Sequence, residues 1–202
     1  MAVSKNQEKT RRLVGLAMLS AIIIVLQIIC TFIKFGPFTI TLALTPIFIG
    51  AALYGAWSGA YLGALLGVVI FLAGLFGWDP ATLGLINLNA WSPLFVLVIC
   101  VLKTAVAGFT AGIVYKAMAS KNELAATITA SVLCPIVNTA LFLVGMFAFF
   151  MPTLQAGAAA DGKTVIAYAI VGLVGLNFIV EFITVIVLSV AVARIIKAVG
   201  KK

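Results

Sequence analysis

The 202-residue sequence contains no histidine. That excludes His-based acid–base catalysis, catalytic triads built on histidine, and His-ligated metals. Acidic residues are scarce too: Asp and Glu total 5 against 13 Lys and Arg, and charged residues make up 9% of the chain. A soluble domain carries about 25% charged residues. With 64% hydrophobic residues and a mean hydropathy of +1.29, too little polar surface remains to cover a water-facing domain, so lipid is the solvent. The three cysteines, Cys30, Cys100 and Cys134, all lie in apolar runs; they indicate neither a disulfide framework nor a thiolate metal site and read as packing residues. The chain also lacks a GxxxxGK(S/T) phosphate loop, a HExxH metal site, a GxSxG elbow and any cluster of paired acids. It is therefore not expected to hydrolyse ATP, hold a metal or cofactor, or act as an enzyme.

What is present is a series of apolar runs. A membrane-spanning helix needs about 20 apolar residues to cross roughly 30 Å of hydrocarbon. Six segments qualify or nearly so, at about 12–32, 40–54, 60–76, 93–118, 124–150 and 165–193. The second is short and carries Pro46, which predicts a kinked or partly spanning helix. The segments 77–92 and 151–164 read as loops. The first apolar run is longer than the core of a signal peptide and no small-x-small cleavage site follows it, so it reads as a retained helix. The expected fold is an all-α membrane protein, a six-helix transmembrane bundle forming one domain over 1–202.

An even number of spans puts both termini on one side, and charge decides which. With the termini inside, the cytoplasmic segments hold ten basic residues: Lys5, Lys9, Arg11, Arg12, Lys116, Lys121, Arg194, Lys197, Lys201 and Lys202. The outer loops hold only Lys34 and Lys163. Both termini are thus expected in the cytoplasm. The basic residues mark helix ends and form no stripe with interleaved aromatics, so nucleic acid is not an expected partner.

Charges within membrane helices are costly and mark pathways or ligand sites. Lys103 stands thirteen residues before Lys116, and Glu181 thirteen before Arg194. At 1.5 Å per residue each lies about 20 Å above its cytoplasmic anchor. Asn138 is fifteen residues past Glu123, at a similar height, and Asn177 shares the helix face of Glu181, four residues on. Three successive helices therefore carry polar groups at one level. Two readings stand side by side: a binding pocket, or a Lys103–Glu181 ion pair with amide hydrogen bonds that lock the bundle. Lys34, Asn87, Asn89 and Trp91, at the outer ends, are further candidates for contact with a bound solute, although Trp also favours membrane interfaces for its own sake. Small residues recur at spacing four, which lets helix backbones approach closely. Gly59, Gly63 and Gly67 with Gly108 and Gly112 suit contacts inside the bundle, while Ala17 and Ala21 suit reception of another protein.

The basic start followed by GLAMLSA at 15–21, then FGPFTITLALTP at 35–46, GAALYG at 50–55 and KTAVAG at 103–108, together resemble the S component, the substrate-binding subunit, of energy-coupling factor (ECF) vitamin transporters. The likeness covers nearly the whole chain. It implies a prokaryotic plasma-membrane protein that binds a vitamin near the outer face, with the first loop and the last three helices forming the pocket. It implies that Ala17 and Ala21 contact a membrane scaffold (T) subunit, and that two cytoplasmic ATPase subunits use the ATP. Pantothenate is the first expected ligand, its carboxylate meeting Lys103 or Lys34 and its amide and hydroxyls meeting Asn138 and Asn177; riboflavin and folate follow. The other readings of the residues are a stand-alone ion-coupled transporter or channel using Lys103 and Glu181, and a membrane-embedded enzyme.

Overall fold

In a computed structural model of the chain, residues 5–33 and 42–200 are described, and their regular structure is entirely helical. The elements are α1 (Lys5–Thr31), α2 (Leu44–Tyr54), α3 (Ala56–Leu75), α4 (Pro80–Ile86), α5 (Ser92–Ala119), α6 (Glu123–Phe149), α7 (Met151–Ala160), α8 (Val165–Ala167), a π-helical stretch Tyr168–Gly175, and α9 (Leu176–Gly200). Five helices among the described residues are long and apolar enough to cross a membrane: α1, α3, α5, α6 and the rod that runs from α8 through the π stretch into α9. The chain is a multi-pass membrane protein.

The second apolar segment departs from expectation. Helix α2 begins at Leu44 rather than near residue 40 and has 11 residues, about 16 Å of rise. Pro46 falls in its first turn, where the ring meets no preceding helical carbonyl, so it starts the helix instead of kinking it. Leu44, Ile47, Phe48 and Ala51 are buried, and α2 touches α1, α3, α5, α6 and α9. It is the central post of the bundle, enclosed on all sides.

Glycine sets the closest helix pair. On α3, a Cβ at Gly59, Gly63 or Gly67 would overlap the backbone carbonyl of Gly108, Thr104 or Cys100 on α5. A Cβ at Gly108 would in turn overlap the Gly59 carbonyl. The small-residue stripes are therefore used inside the bundle, as their spacing predicts, and the two backbones are in contact. Helix α5 packs mainly on α3 and α6. On its α6 side, Gly145 leaves room for the Ile99 side chain, and Phe95 stacks on Phe149 with centroids 4.6 Å apart.

The segments read as loops contain two short helices, α4 and α7. Both follow a proline-led start, Asp79-Pro80 and Met151-Pro152, which suits a first helical turn. Helix α3 ends in a Schellman turn: Gly77 takes a positive φ of 76°, Trp78 N–H bonds Ala73 O at 2.9 Å, and Gly77 N–H bonds Gly74 O at 2.9 Å. That turn reverses the chain and lays α4 back against α3. The contact is close, since a Cβ at Gly74 would overlap Thr82 Cγ2. At the opposite end of the bundle, Arg12 donates to Ser58 Oγ at 2.9 Å and ties α1 to the start of α3.

Candidate functional site

Above the α2 post, the inward faces of α5, α6 and the α9 rod do not close on one another. They leave a cavity of about 730 Å³, counting its open mouth. Helix α5 contributes Val96, Ile99, Cys100 and Lys103; α6 contributes Asn138, Thr139, Phe142 and Met146. The π stretch adds Leu173 and Val174, and α9 adds Asn177, Phe178 and Glu181. Ile70 of α3 and Asp79, Thr82 and Leu85 around α4 complete the wall. Four residues singled out from helix depth, Lys103, Asn138, Asn177 and Glu181, thus border one space.

Among the described residues the single ion pair joins Lys163 to Asp161 at 3.0 Å, outside the cavity. The Lys103–Glu181 ion pair, one of the two readings of these residues, is not found among the described residues. Lys103 Nζ lies instead over the Phe142 ring, 4.8 Å from its centroid, where the ring quadrupole attracts a cation. The π face supplies no hydrogen-bond acceptor, so the ammonium keeps donors for a ligand. Asn138 is buried and its Oδ1 has no hydrogen-bond partner. Glu181 is buried as well.

Asp79 and Thr82 belong to this wall although sequence reasoning placed them in a loop. The signal for them was the Asp79-Pro80 start of a short apolar helix two residues after Gly77. Cys100 also faces the cavity, in addition to packing. All three cysteines are free and buried.

Other expected contact residues lie elsewhere. Asn87, Asn89 and Trp91 are not among the lining residues. Asn89 Oδ1 accepts from Trp91 N–H at 3.0 Å and Ser92 N–H at 2.9 Å, while Ser92 Oγ accepts from Asn89 N–H at 3.1 Å. This reciprocal set works as a capping box for α5, and it occupies the Asn89 side chain with backbone. Asn87 is exposed, and Trp91 is 68% exposed at the helix entry, as an interfacial indole would be. Lys34 lies outside the described residues. Ala17 and Ala21 are on the exposed side of α1, beside Val14, Met18 and Val25 and away from the cavity.

Comparison with known proteins bears on this architecture directly. The family model described as "ECF transporter, substrate-specific component" matches residues 11–196. The chain belongs to that family. It is the substrate-binding subunit of an ECF transporter. No curated protein matches it in sequence. Among solved structures it is similar to ThiT from Listeria monocytogenes, with a TM-score of 0.65 and 20% identity over 96% of this chain and 97% of that one. At that identity the likeness concerns the fold. ECF S components serve vitamin uptake together with T and ATPase subunits.

Proposed function

We infer that this S component captures a small vitamin from outside the cell and delivers it to a T subunit and two ATPase subunits for ATP-driven import. In this reading six helical segments are embedded in the prokaryotic plasma membrane with both termini in the cytoplasm, and α4 borders the cavity at its outer end. The single observation that carries it is the meeting of Lys103, Asn138, Asn177 and Glu181, from three different helices, around one cavity. Lys103 has its ammonium over Phe142 and forms no ion pair among the described residues, so it receives an acceptor or anionic group of the ligand. Asn138 offers an unpartnered carbonyl oxygen, and desolvating that oxygen favours a ligand that donates to it. Ala17 and Ala21, small and exposed, form the seat for the T subunit.

Pantothenate would satisfy the Lys103 end of the cavity through its carboxylate, and Asn138 and Asn177 through its amide and hydroxyls. The experiment is mass spectrometry of small molecules retained by the protein purified in detergent, with copurification of the T and ATPase subunits followed on the same preparation. A retained vitamin together with the partner subunits supports the reading. Uptake by this chain alone in proteoliposomes, driven by a proton gradient, would overturn it.

A further inference from the structure

A second polar group in the cavity wall limits what the ligand can be. Asp79 ends the Schellman turn that leads into α4, and its backbone N–H bonds Ala73 O at 3.2 Å. Its side chain is 2% exposed and borders the cavity. Thr82 Oγ1 donates to Oδ2 at 2.5 Å. Oδ1 is buried with no hydrogen-bond partner. Since the one ion pair among the described residues is Lys163–Asp161, no described cation pairs with this carboxylate either. A buried carboxylate oxygen left without a donor is costly, and the fold could have avoided the cost with an amide or an apolar residue. The α3–α4 turn is built to hold this group where it is: Gly77 permits the reversal and Gly74 admits Thr82 against α3.

We propose that Asp79 binds the ligand directly through Oδ1 and selects for a compound with a basic nitrogen, an amine or an amino-substituted heterocycle whose N–H groups point at the carboxylate. This deepens the proposed function and rests on the cavity being the uptake site. Lys103 and Asp79, of opposite charge, both border the cavity. The site is bipolar. A donor-bearing nitrogen goes to Asp79, an acceptor goes to Lys103, and the Phe142 and Phe178 rings line the walls along with aliphatic side chains. Pantothenate carries the acceptor but no basic nitrogen, and it leaves Asp79 Oδ1 with at best a neutral donor. A protonated nitrogen adds an opposite charge beside the buried carboxylate, and that Coulomb attraction is strengthened where water is excluded.

The test uses the full chain in detergent, as wild type, Asp79→Asn and Asp79→Glu. Each is incubated with an equimolar pool of thiamine, pyridoxamine, riboflavin and pantothenate, separated from free compound, and analysed for retained vitamin by mass spectrometry. Wild type is expected to retain an amine-bearing member, thiamine or pyridoxamine, above the others. Asp79→Asn is expected to lower that retention by about tenfold or more, the range for losing a charged hydrogen bond, and Asp79→Glu to restore part of it. Preferential retention of pantothenate or riboflavin by wild type would overturn the proposal whether or not the variants fold. So would equal retention by wild type and a monodisperse Asp79→Asn. In both of those cases the protein still holds a vitamin and the uptake reading stands. If neither any of the four nor any other small molecule from a cell extract is retained, both are overturned.

Discussion

The ammonium of Lys103 sits 4.8 Å from the centroid of the Phe142 ring, one helix away, and makes no ion pair with Glu181. A cation held against an aromatic face is stabilised by about 0.5–2 kcal/mol and keeps its N–H donors. Lys103→Met is expected to weaken vitamin affinity by about tenfold or more while the protein stays monodisperse. Phe142→Leu is expected to weaken it less, since the charge remains. Isothermal titration in detergent measures both, and unchanged affinity in Lys103→Met would remove Lys103 from the site.

Asn138 gives opposite effects on stability and binding. Its Oδ1 is buried and unpartnered, so the empty protein carries a desolvation cost of about 1–3 kcal/mol there. Asn138→Leu is expected to raise the melting temperature of the ligand-free protein and to shrink the rise produced by ligand. Thermal unfolding with and without vitamin reads both quantities. A drop in ligand-free stability would show that the amide supports the bundle instead.

For Asn89 the prediction separates capping from ligand contact. Its side chain accepts from the Trp91 and Ser92 amides, and losing such a cap costs about 1 kcal/mol. Asn89→Ala should lower the melting temperature by a few degrees and leave affinity within about twofold, because a 1 kcal/mol loss at a helix end outside the cavity lining is spent on folding. A large loss of affinity without destabilisation would restore Asn89 to the binding residues.

Ala17 and Ala21 test the partner surface. Both are exposed on α1, the least buried of the long helices. Ala17→Leu combined with Ala21→Leu should abolish copurification with the T subunit, because close helix approach needs small side chains. Vitamin binding by the isolated chain should persist. Undiminished assembly would place the T subunit on another face.

The α3–α5 seam can be probed at Gly63, where any Cβ overlaps the Thr104 carbonyl. Gly63→Leu should cost about 3 kcal/mol or more, the upper end for over-packing, since backbone cannot move aside as a side chain can. Gly84 is the control. Nothing lies within 4 Å of a Cβ built there, and Gly84→Ala should leave the melting temperature nearly unchanged.

Membrane residence, the long helices, the α3–α5 seam and the shared level of Lys103, Asn138 and Glu181 were all legible in the chain. Each depends on quantities that run along a helix: apolar length, residue spacing and a rise of about 1.5 Å per residue. Depth follows from counting. Direction around the helix axis and pairing across helices do not, which is why a Lys103–Glu181 ion pair was plausible from depth and absent in the structure, where Phe142 receives the ammonium. Asp79 shows the same limit from the other side. Its place in the cavity depends on a left-handed Gly77, a close Gly74–Thr82 contact and a seven-residue helix, too short for periodicity to reveal. Asn89 looked like a binding residue because amides near a helix mouth serve either purpose, and the choice lay with the free amides of α5. One-dimensional spacing established the bundle and the height of its polar layer; packing in three dimensions assigned each polar group to a neighbour, a helix end or the open cavity.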